Sequence, residues 1–187
     1  MLNLFKKKSK SVEVLAPLTG TTLSIEEVPD PVFSEKMMGE GIAIKPTTDT
    51  VVAPFKGTVK MLMPNSGHAV GLLSEDGLEI LIHVGMDTVS LEGEGFEVLT
   101  EVEAKVEPGD PLIKFDEAFL KSKEMDTLTM VVVTNPGDFQ PEQFLTNKEV
   151  KAANDPIMVY KKIIEKYYWL KTDHHLVISF LVSYFNH

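Results

Sequence analysis

The stretch His68-Ala-Val-Gly-Leu-Leu-Ser-Glu-Asp-Gly-Leu-Glu-Ile-Leu-Ile-His-Val-Gly-Met-Asp87 contains two apolar runs separated by a short polar segment. The runs cover residues 69–73 and 78–84, and Asp76-Gly77 lies between them. An Asp-Gly pair between two runs rich in β-forming residues is a strong short-range signal for a hairpin. The stretch therefore predicts a β-hairpin, around which the rest of the chain can be arranged.

The two histidines of this hairpin meet in two of its three plausible registers. A two-residue loop at Asp76-Gly77 places His83 opposite Val70, and a four-residue loop places His83 directly opposite His68. In both registers the imidazoles share one face of the sheet, about 5 to 8 Å apart at Cβ. A three-residue loop shifts the register by one residue and sends them to opposite faces. Two unrelated histidines, each bound by a local partner, are the plain structural alternative.

Composition and charge limit the class of protein. A length of 187 residues predicts one domain with a substantial core, and the absence of cysteine excludes disulfides and thiolate metal sites. No signal peptide is visible, so we expect a cytoplasmic location. Residues 13–160 carry 26 acids against ten lysines, which argues against nucleic acid and for basic protein partners. The chain has no arginine, so any bound phosphate needs histidine, lysine, backbone N–H groups or a partner's arginine.

The two ends of the chain differ in composition from this acidic body. Residues 1–12 carry four lysines and no acid and are expected to be a flexible basic segment. The apolar and basic side chains of residues 1–11 could instead make a weak contact with anionic lipid at the inner face of the membrane. Residues 161–187 are expected to be an extension, disordered or loosely docked. Their apolar run, residues 176–185, is shorter than the roughly 20 residues that a membrane span needs.

Short strands dominate the predicted body, residues 13–160. The frame Ala-Pro-x-x-Gly-Thr occurs at residues 16–21 and again at 53–58, which predicts a duplicated strand–turn–strand unit that folds onto itself. Residues 116–123 are the convincing helix of the body, with Asp116 as N-cap, and residues 135–150 are predicted to be mainly loop. Many short strands with one or two short helices predict an all-β antiparallel sandwich or barrel.

Two neighbouring histidines on such a body suit a phosphoryl relay. One neutral imidazole attacks a phosphoryl group while the other donates a hydrogen bond to its oxygens. The attacking ring must hold its proton on the other nitrogen, which then needs an acceptor. Gly85, two residues after His83, offers a backbone carbonyl for this purpose. Ser66, two residues before His68, offers a hydroxyl that can orient that ring.

Other chemistries remain open for the same pair. A zinc site would need a third ligand, from Asp87 or from a partner's carboxylate. Asp87 is otherwise a solvated acid in a turn or an electrostatic contact for a basic partner. A biotin or lipoyl carrier would need a lysine at the hairpin tip, where this chain has Glu75-Asp76-Gly77. A purely structural histidine pair is the third possibility.

Several spaced motifs together resemble the glucose-family enzyme IIA of the bacterial phosphoenolpyruvate:sugar phosphotransferase system, over roughly residues 13–160. The motifs are Ala-Pro-Leu-Thr-Gly (16–20), Val-Pro-Asp-Pro-Val-Phe (28–33), Glu-Lys-Met-Met-Gly-Glu-Gly (35–41), Ile-Lys-Pro-Thr (44–47), Gly-His-Ala (67–69), Ile-His-Val-Gly-Met-Asp-Thr-Val (82–89) and Leu-Glu-Gly-Glu-Gly-Phe (91–96). Family members often have threonine at the position of Ser66, and the tail after residue 162 has no counterpart in the family pattern.

The resemblance implies an antiparallel β-sandwich and a phosphotransferase component without an intrinsic cofactor. By position, His83 matches the histidine phosphorylated at Nε2, and His68 matches its companion. The implied donor is the phosphohistidine of HPr, and the implied acceptor is a cysteine on the IIB domain of a IIB/IIC sugar permease. Regulated metabolic enzymes or transporters are further implied partners, and a zinc ion at His68 and His83 would need a partner's ligand.

An apolar ring around the site would form the docking face for these partners. By position its members are Val32, Phe33, Val84, Met86 and Val89. The alternative for this group is ordinary core, which we expect most strongly for Val89.

Overall fold

The computed structural model describes residues 10–163 of the chain. Most of the N-terminal basic segment and nearly all of the C-terminal extension lie outside these residues, as do residues 1–9 of the lipid contact predicted for residues 1–11. Within the described part, no helix is long and apolar enough to cross a membrane.

Fourteen strands and a few short helical turns make up residues 10–163. The α-helices are α1 (Pro31–Ser34) and α2 (Glu117–Ser122), and 3-10 turns cover Ile25–Glu27 and Thr88–Leu91. The strands are β1 (Ser11–Leu15), β2 (Gly20–Ser24), β3 (Glu40–Pro46), β4 (Thr50–Val52), β5 (Gly57–Leu62), β6 (Ala69–Ser74), β7 (Glu79–Val84), β8 (Phe96–Val98), β9 (Lys105–Val106), β10 (Pro111–Phe115), β11 (Thr129–Asn135), β12 (Phe139–Phe144), β13 (Glu149–Val150) and β14 (Pro156–Lys162).

All strand pairings in this part of the chain are antiparallel, and they form three sheets. The largest has the order β13-β2-β3-β11-β7-β6-β5-β9, and the smaller ones have the orders β1-β14-β12 and β4-β10-β8. One apolar core contains residues from all three sheets, such as Ile82, Tyr160 and Ile113. The predicted all-β antiparallel sandwich is confirmed.

The two Ala-Pro frames contact each other directly. The N–H of Leu15 donates to the carbonyl of Pro54 at 3.1 Å, and the N–H of Val52 donates to the carbonyl of Pro17 at 2.9 Å. The proline carbonyl of each frame thus accepts a hydrogen bond from the residue directly before the other frame. This reciprocal pair of hydrogen bonds confirms that the duplicated unit folds onto itself.

The short helices begin where their caps are encoded. The side chain of Asp116 accepts from the N–H of Phe119 at 2.9 Å, as predicted for the N-cap of α2, and Leu120 is fully buried. In α1, Pro31 occupies the first turn and the side chain of Asp30 accepts from the N–H of Val32. Proline in the first turn and an aspartate cap are standard helix-start chemistry.

The strands extend further than the sequence pattern predicts. Residues 135–150 contain β12 and β13 rather than mainly loop, so that prediction is wrong. After the buried Phe139, the next four residues of β12 are all exposed, and the alternation that identifies a strand is missing. Ser11 and Val12 belong to β1, and Lys161 and Lys162 belong to β14, so these paired strands cross both predicted segment boundaries.

Candidate active site

The hairpin of β6 and β7 has the register that we did not expect. His83 lies opposite Ala69, so both predicted registers are wrong. The loop has three residues, 75–77: the N–H of Gly77 donates to the carbonyl of Ser74, and Gly77 has φ +96°. A tight turn followed by a left-handed glycine is the usual three-residue loop, and it adds the single residue that shifts the register.

The two imidazoles nevertheless lie side by side. Their ring centroids are 4.6 Å apart with an interplanar angle of 69°. His68 precedes β6 by one residue and follows Gly67, whose φ is +59°. His68 keeps one hydrogen bond to β7 through its carbonyl, but it precedes the first residue of β6 and follows a left-handed glycine, so strict alternation does not decide where its ring lies. The proximity of the rings agrees with our expectation, although the reasoning from register was wrong.

The hydrogen bond of His83 defines which of its nitrogens is free. Its Nδ1 lies 2.9 Å from the carbonyl oxygen of Gly85. Because a carbonyl can only accept, Nδ1 carries the proton of the neutral ring, and Nε2 keeps a bare lone pair. Gly85 therefore holds the acceptor position that we expected from the sequence.

Burial keeps both rings neutral near pH 7. Burial, together with a smaller effect of the neighbouring His83, lowers the pKa of His68 from 6.5 to about 4. Burial also lowers the pKa of His83, against the hydrogen bond to Gly85 and the negative charge of Asp30, which both raise it. Only 1% of the His68 residue is exposed, whereas His83 is half-buried. The more accessible ring is thus the one with the bare Nε2.

The predicted contact between Ser66 and His68 is absent. Oγ of Ser66 and Nδ1 of His68 are both buried, and neither has a hydrogen-bond partner within residues 10–163. The prediction assumed that residues two apart in an extended segment share a face. The left-handed φ of Gly67 between them breaks that relation.

The five residues of the predicted apolar ring divide into two groups. Val32 and Val89 are 41% and 59% exposed, and Met86 is half-buried, while Phe33 and Val84 are buried. Val84 belongs to the main core and cannot contact a partner directly. Val89, the member for which the alternative of ordinary core was favoured most, is the most exposed of the five. It lies past the end of β7, where strand alternation no longer predicts which side chains are buried.

The ring of Phe33 supports the site from inside the protein. Its centroid lies 5.3 Å from that of His83, in an edge-to-face arrangement. Phe33 is carried by α1, whose Asp30 cap is also the acid that raises the pKa of His83. Helix α1 therefore places both an aromatic ring and a negative charge near one imidazole.

The carboxylate of Asp87, four residues after His83, has no ion pair or hydrogen bond within residues 10–163. Asp87 is exposed, has φ +57°, and makes no capping hydrogen bond to the 3-10 turn that follows it. These properties fit either interpretation made from the sequence, a solvated acid or a partner contact. Within residues 10–163, no three histidine, aspartate or glutamate side chains are grouped so that they could hold a metal ion, so Asp87 does not complete a zinc site.

Reasoning from the sequence missed three contributors to the site, namely Asp30, Thr88 and Phe96. The Asp30-Pro31 pair is a recognisable helix start that could have been used. Thr88 lies in the same motif as His83, and its hydroxyl donates to the carbonyl of Val84 at 2.7 Å, a contact within the turn that no spacing rule predicts. The ring of Phe96 lies 6.4 Å from that of His68, a long-range contact without a local signal.

Comparisons with known proteins show what this chain is similar to. Residues 12–139 match the family model described as phosphoenolpyruvate-dependent sugar phosphotransferase system, EIIA 1. The glucose-specific EIIA component of Staphylococcus epidermidis is 47% identical over 130 residues, 70% of this chain and 78% of that protein. The glucoside-specific EIICBA component of Staphylococcus carnosus is 50% identical over 135 residues, and the chain spans only 19% of its length.

A solved structure extends the likeness to the fold. The glucose permease IIA from Mycoplasma capricolum superposes with a TM-score of 0.74 at 37% identity, over 80% of this chain and 96% of that one. A match over most of the chain in both sequence and fold shows the family. The chain belongs to the EIIA 1 family of the phosphoenolpyruvate-dependent sugar phosphotransferase system.

Proposed function

We propose that this chain is a phosphoryl carrier, in which His83 accepts a phosphoryl group from the phosphohistidine of HPr and passes it to a cysteine of an enzyme IIB domain. The observation that carries the proposal is the 2.9 Å hydrogen bond from Nδ1 of His83 to Gly85, which leaves Nε2 free as a nucleophile. A second neutral imidazole, 4.6 Å away, is available to bind the transferred group.

The transfer balances without an added acid or base. A bond forms between Nε2 of His83 and phosphorus, and the bond between phosphorus and the donor nitrogen breaks. The electron pair of that bond returns to the donor ring, which leaves as neutral imidazole if it entered protonated. The proton on Nδ1 of His83 stays in its hydrogen bond to Gly85, where the carbonyl stabilises the resulting imidazolium. Attack by a cysteine thiolate then reverses these changes at His83.

His68 is assigned to stabilise the moving phosphoryl group. Its pKa of about 4 keeps the ring uncharged at neutral pH, with one N–H to donate to a phosphoryl oxygen. A neutral donor binds the transferred group less tightly than a cation would, which suits a carrier that must release it again.

The missing positive charge is expected to come from the partner. The chain has no arginine, and Lys36 is already paired with Glu26 at 2.9 Å and with Glu40 at 3.2 Å. The exposed Asp87, Val32 and Val89 then form a docking face for a cationic and apolar partner surface. Such contacts raise the association rate more than the affinity, and salt weakens them.

The IIB and IIC domains of a sugar permease are the proposed downstream partners. The glucoside-specific and glucose-specific EIICBA components of Staphylococcus carnosus contain a segment that is 50% and 49% identical to this chain. For the present chain, transfer of the phosphoryl group to a IIB domain would take place either between separate molecules or with a domain of the same protein.

Incubation with phosphoenolpyruvate, enzyme I and HPr tests the proposal. We expect one acid-labile phosphate per chain, mapped to His83 by mass spectrometry, and none in His83→Ala. The variant His68→Gln should accept phosphate but pass it to IIB more slowly, by roughly 10- to 100-fold. Phosphate on another residue, or none with active HPr, would contradict the proposal.

Regulation of other proteins through the same face is a second proposed role. The unphosphorylated face exposes Val32, Val89 and Asp87, and a phosphoryl group on His83 would add negative charge beside them. Binding of candidate enzymes or transporters should then weaken on phosphorylation, as titration calorimetry would measure.

A zinc ion at this face would take two imidazole nitrogens from His68 and His83 and its remaining ligands from the partner.

A further inference from the structure

We propose that the hydroxyl of Thr88 is a positioning group for both histidines and acts through the backbone of Val84 and Gly85. This inference rests on the proposed function of His83 and adds a residue to its machinery. In this role Thr88 touches neither imidazole. It holds the backbone of Val84 and Gly85, which is hydrogen-bonded to the carbonyl of His68 and to the ring of His83.

The backbone of Val84 connects Thr88 to His68. The N–H of Val84 donates to the carbonyl of His68 at 2.9 Å. The carbonyl of Val84 accepts from the hydroxyl of Thr88 at 2.7 Å. One residue at the end of β7 is therefore bound on its two polar groups by His68 and Thr88.

The backbone of Gly85 continues this connection to His83. Its N–H donates to the carbonyl of Leu128 at 3.0 Å, and its carbonyl accepts from Nδ1 of His83 at 2.9 Å. All four polar backbone groups of the two residues are thus engaged, two of them with the histidines.

The hydroxyl of Thr88 and the carbonyl of Leu128 hold the same peptide plane. The carbonyl of Val84 and the N–H of Gly85 belong to one planar peptide unit, so the two hydrogen bonds grip its opposite edges. Rotation of this unit would break at least one of them. The direction in which the next carbonyl, that of Gly85, meets His83 depends on this plane.

The methyl group of Thr88 adds a steric constraint on Gly85. Gly85 has φ +75°, and a Cβ at that position would lie 2.5 Å from Cγ2 of Thr88 and 2.6 Å from the carbonyl oxygen of Asp126. Thr88 therefore packs against Gly85 with its methyl group while its hydroxyl binds Val84. Serine keeps only the hydroxyl and valine keeps only the methyl groups, which separates the two contributions.

Burial makes the hydroxyl hard to replace. Thr88 is fully buried, so solvent has little access to the carbonyl that it binds. Loss of the hydroxyl should free the peptide plane and let the His83 ring exchange its Nδ1–H tautomer for the Nε2–H form. The Nε2–H form has no bare nitrogen at the attacking position.

The variants Thr88→Val and Thr88→Ser test this inference, with Thr22→Val as matched control. Thr22, in β2, is also fully buried, and its hydroxyl donates to the carbonyl of Leu145 at 2.7 Å. The first readout is the ¹⁵N chemical shifts of the His83 ring in the unphosphorylated protein. The second is the single-turnover rate of phosphorylation by phospho-HPr.

We expect Thr88→Val to show a mixture of His83 tautomers and a phosphorylation rate lowered about 10- to 100-fold, as for misplaced reacting groups. Thr88→Ser should keep the Nδ1–H tautomer and most of the rate. Thr22→Val should keep both readouts. If Thr88→Val does not fold, Thr88→Cys, which retains a weak donor, should show the same change at smaller amplitude.

Two outcomes would overturn the inference. One is a wild-type tautomer and rate in folded Thr88→Val, and the other is an equal loss in Thr22→Val. The tautomer readout needs no phosphate, so it separates this inference from the proposed function. A wild-type chain that is never phosphorylated on His83, with the tautomer still sensitive to Thr88, would refute the carrier role alone.

Discussion

The two faces of the eight-stranded sheet are built from alternate residues of the same strands, but they differ in what they carry. On β7, Ile82 and Val84 are fully buried in the main core, while His83 between them is half-buried on the opposite face. The outer face has its own smaller apolar cluster, which includes Ala43, Met130 and Phe33. A step of one residue thus separates the face that packs into the main core from the face that carries His83.

The position of His83 on the outer face is fixed by its neighbours in the sheet. A row of paired residues crosses five strands in the order Leu23, Ala43, Met130, His83 and Ala69. Because β7 lies between β6 and β11, a slip of one residue would exchange Ile82 for His83 in the core. The same register therefore specifies both the core residue Ile82 and the outward position of His83.

The largest expected effect is on the inner face. Ile82→Ala should lower the free energy of unfolding by about 2–5 kcal/mol, because it leaves a cavity in the main core. His83→Ala should change it by no more than about 1 kcal/mol, since the ring is half-buried and its removal opens no enclosed cavity. Urea unfolding of both variants measures the difference, and equal losses would break the distinction between the faces.

The second effect is a loss of stability in acid that comes from His68. The folded-state pKa of His68, about 4, lies below the ordinary histidine pKa of 6.5. The ring in the unfolded chain therefore takes up a proton first as the pH falls. The part of the free energy of unfolding that depends on the neutral His68 ring is therefore fully present above pH 6.5. Roughly 3 kcal/mol of it is lost as the pH falls from 6.5 to about 4. Unfolding of wild type and His68→Gln across this range should differ by that slope, and parallel profiles would contradict it.

The third effect concerns the turn at Gly85, directly after the end of β7. Gly85→Ala forces a side chain onto φ +75° and against Thr88 and Asp126, so it should cost more than the about 1–3 kcal/mol of backbone strain alone. Gly77→Ala is the matched control, because Gly77 has φ +96° with nothing within 4 Å of an added Cβ. Equal losses of unfolding free energy would show that the packing around Gly85 has no effect.

The smallest effect separates support from docking on the outer face. Phe33→Leu should lower the free energy of unfolding by about 0.5–1.5 kcal/mol through the lost edge-to-face contact with His83. Val32→Ala, one residue away but exposed, should leave stability unchanged and weaken the productive encounter with HPr. Thermal unfolding and the concentration dependence of phosphorylation measure these two changes, and a reversed pattern would contradict the assignment.

Local signals in the sequence predicted the elements whose causes are local. The Asp-Gly pair between apolar runs predicted the hairpin, and Asp116 predicted the start of α2. The repeated Ala-Pro frame predicted a duplicated unit, which the exchanged hydrogen bonds of Leu15 and Val52 confirm. Each of these rests on a few neighbouring residues or on a repeat that is visible in the chain.

Features that depend on one backbone angle or on distant partners were not predictable in the same way. The register of β6 and β7 depends on one extra loop residue, and the missing contact of Ser66 depends on the φ of Gly67. Val89, a member of the predicted apolar ring, was the member for which the alternative of ordinary core was favoured most, yet it is exposed, since the strand ends before it. The edge strand β12 lacked the alternation that would have revealed it.

The sequence by itself determined the fold class, the hairpin and the presence of two histidines beside an acidic, arginine-free body, because composition and short-range patterns encode these properties. Only the tertiary structure decided that the rings meet despite the odd register, and that the Val84–Gly85 backbone links them to Thr88 and Leu128. The reason is that hydrogen-bond partners such as Leu128 are brought to the site by strand pairing, and ring positions follow from single backbone angles, which residue spacing does not specify.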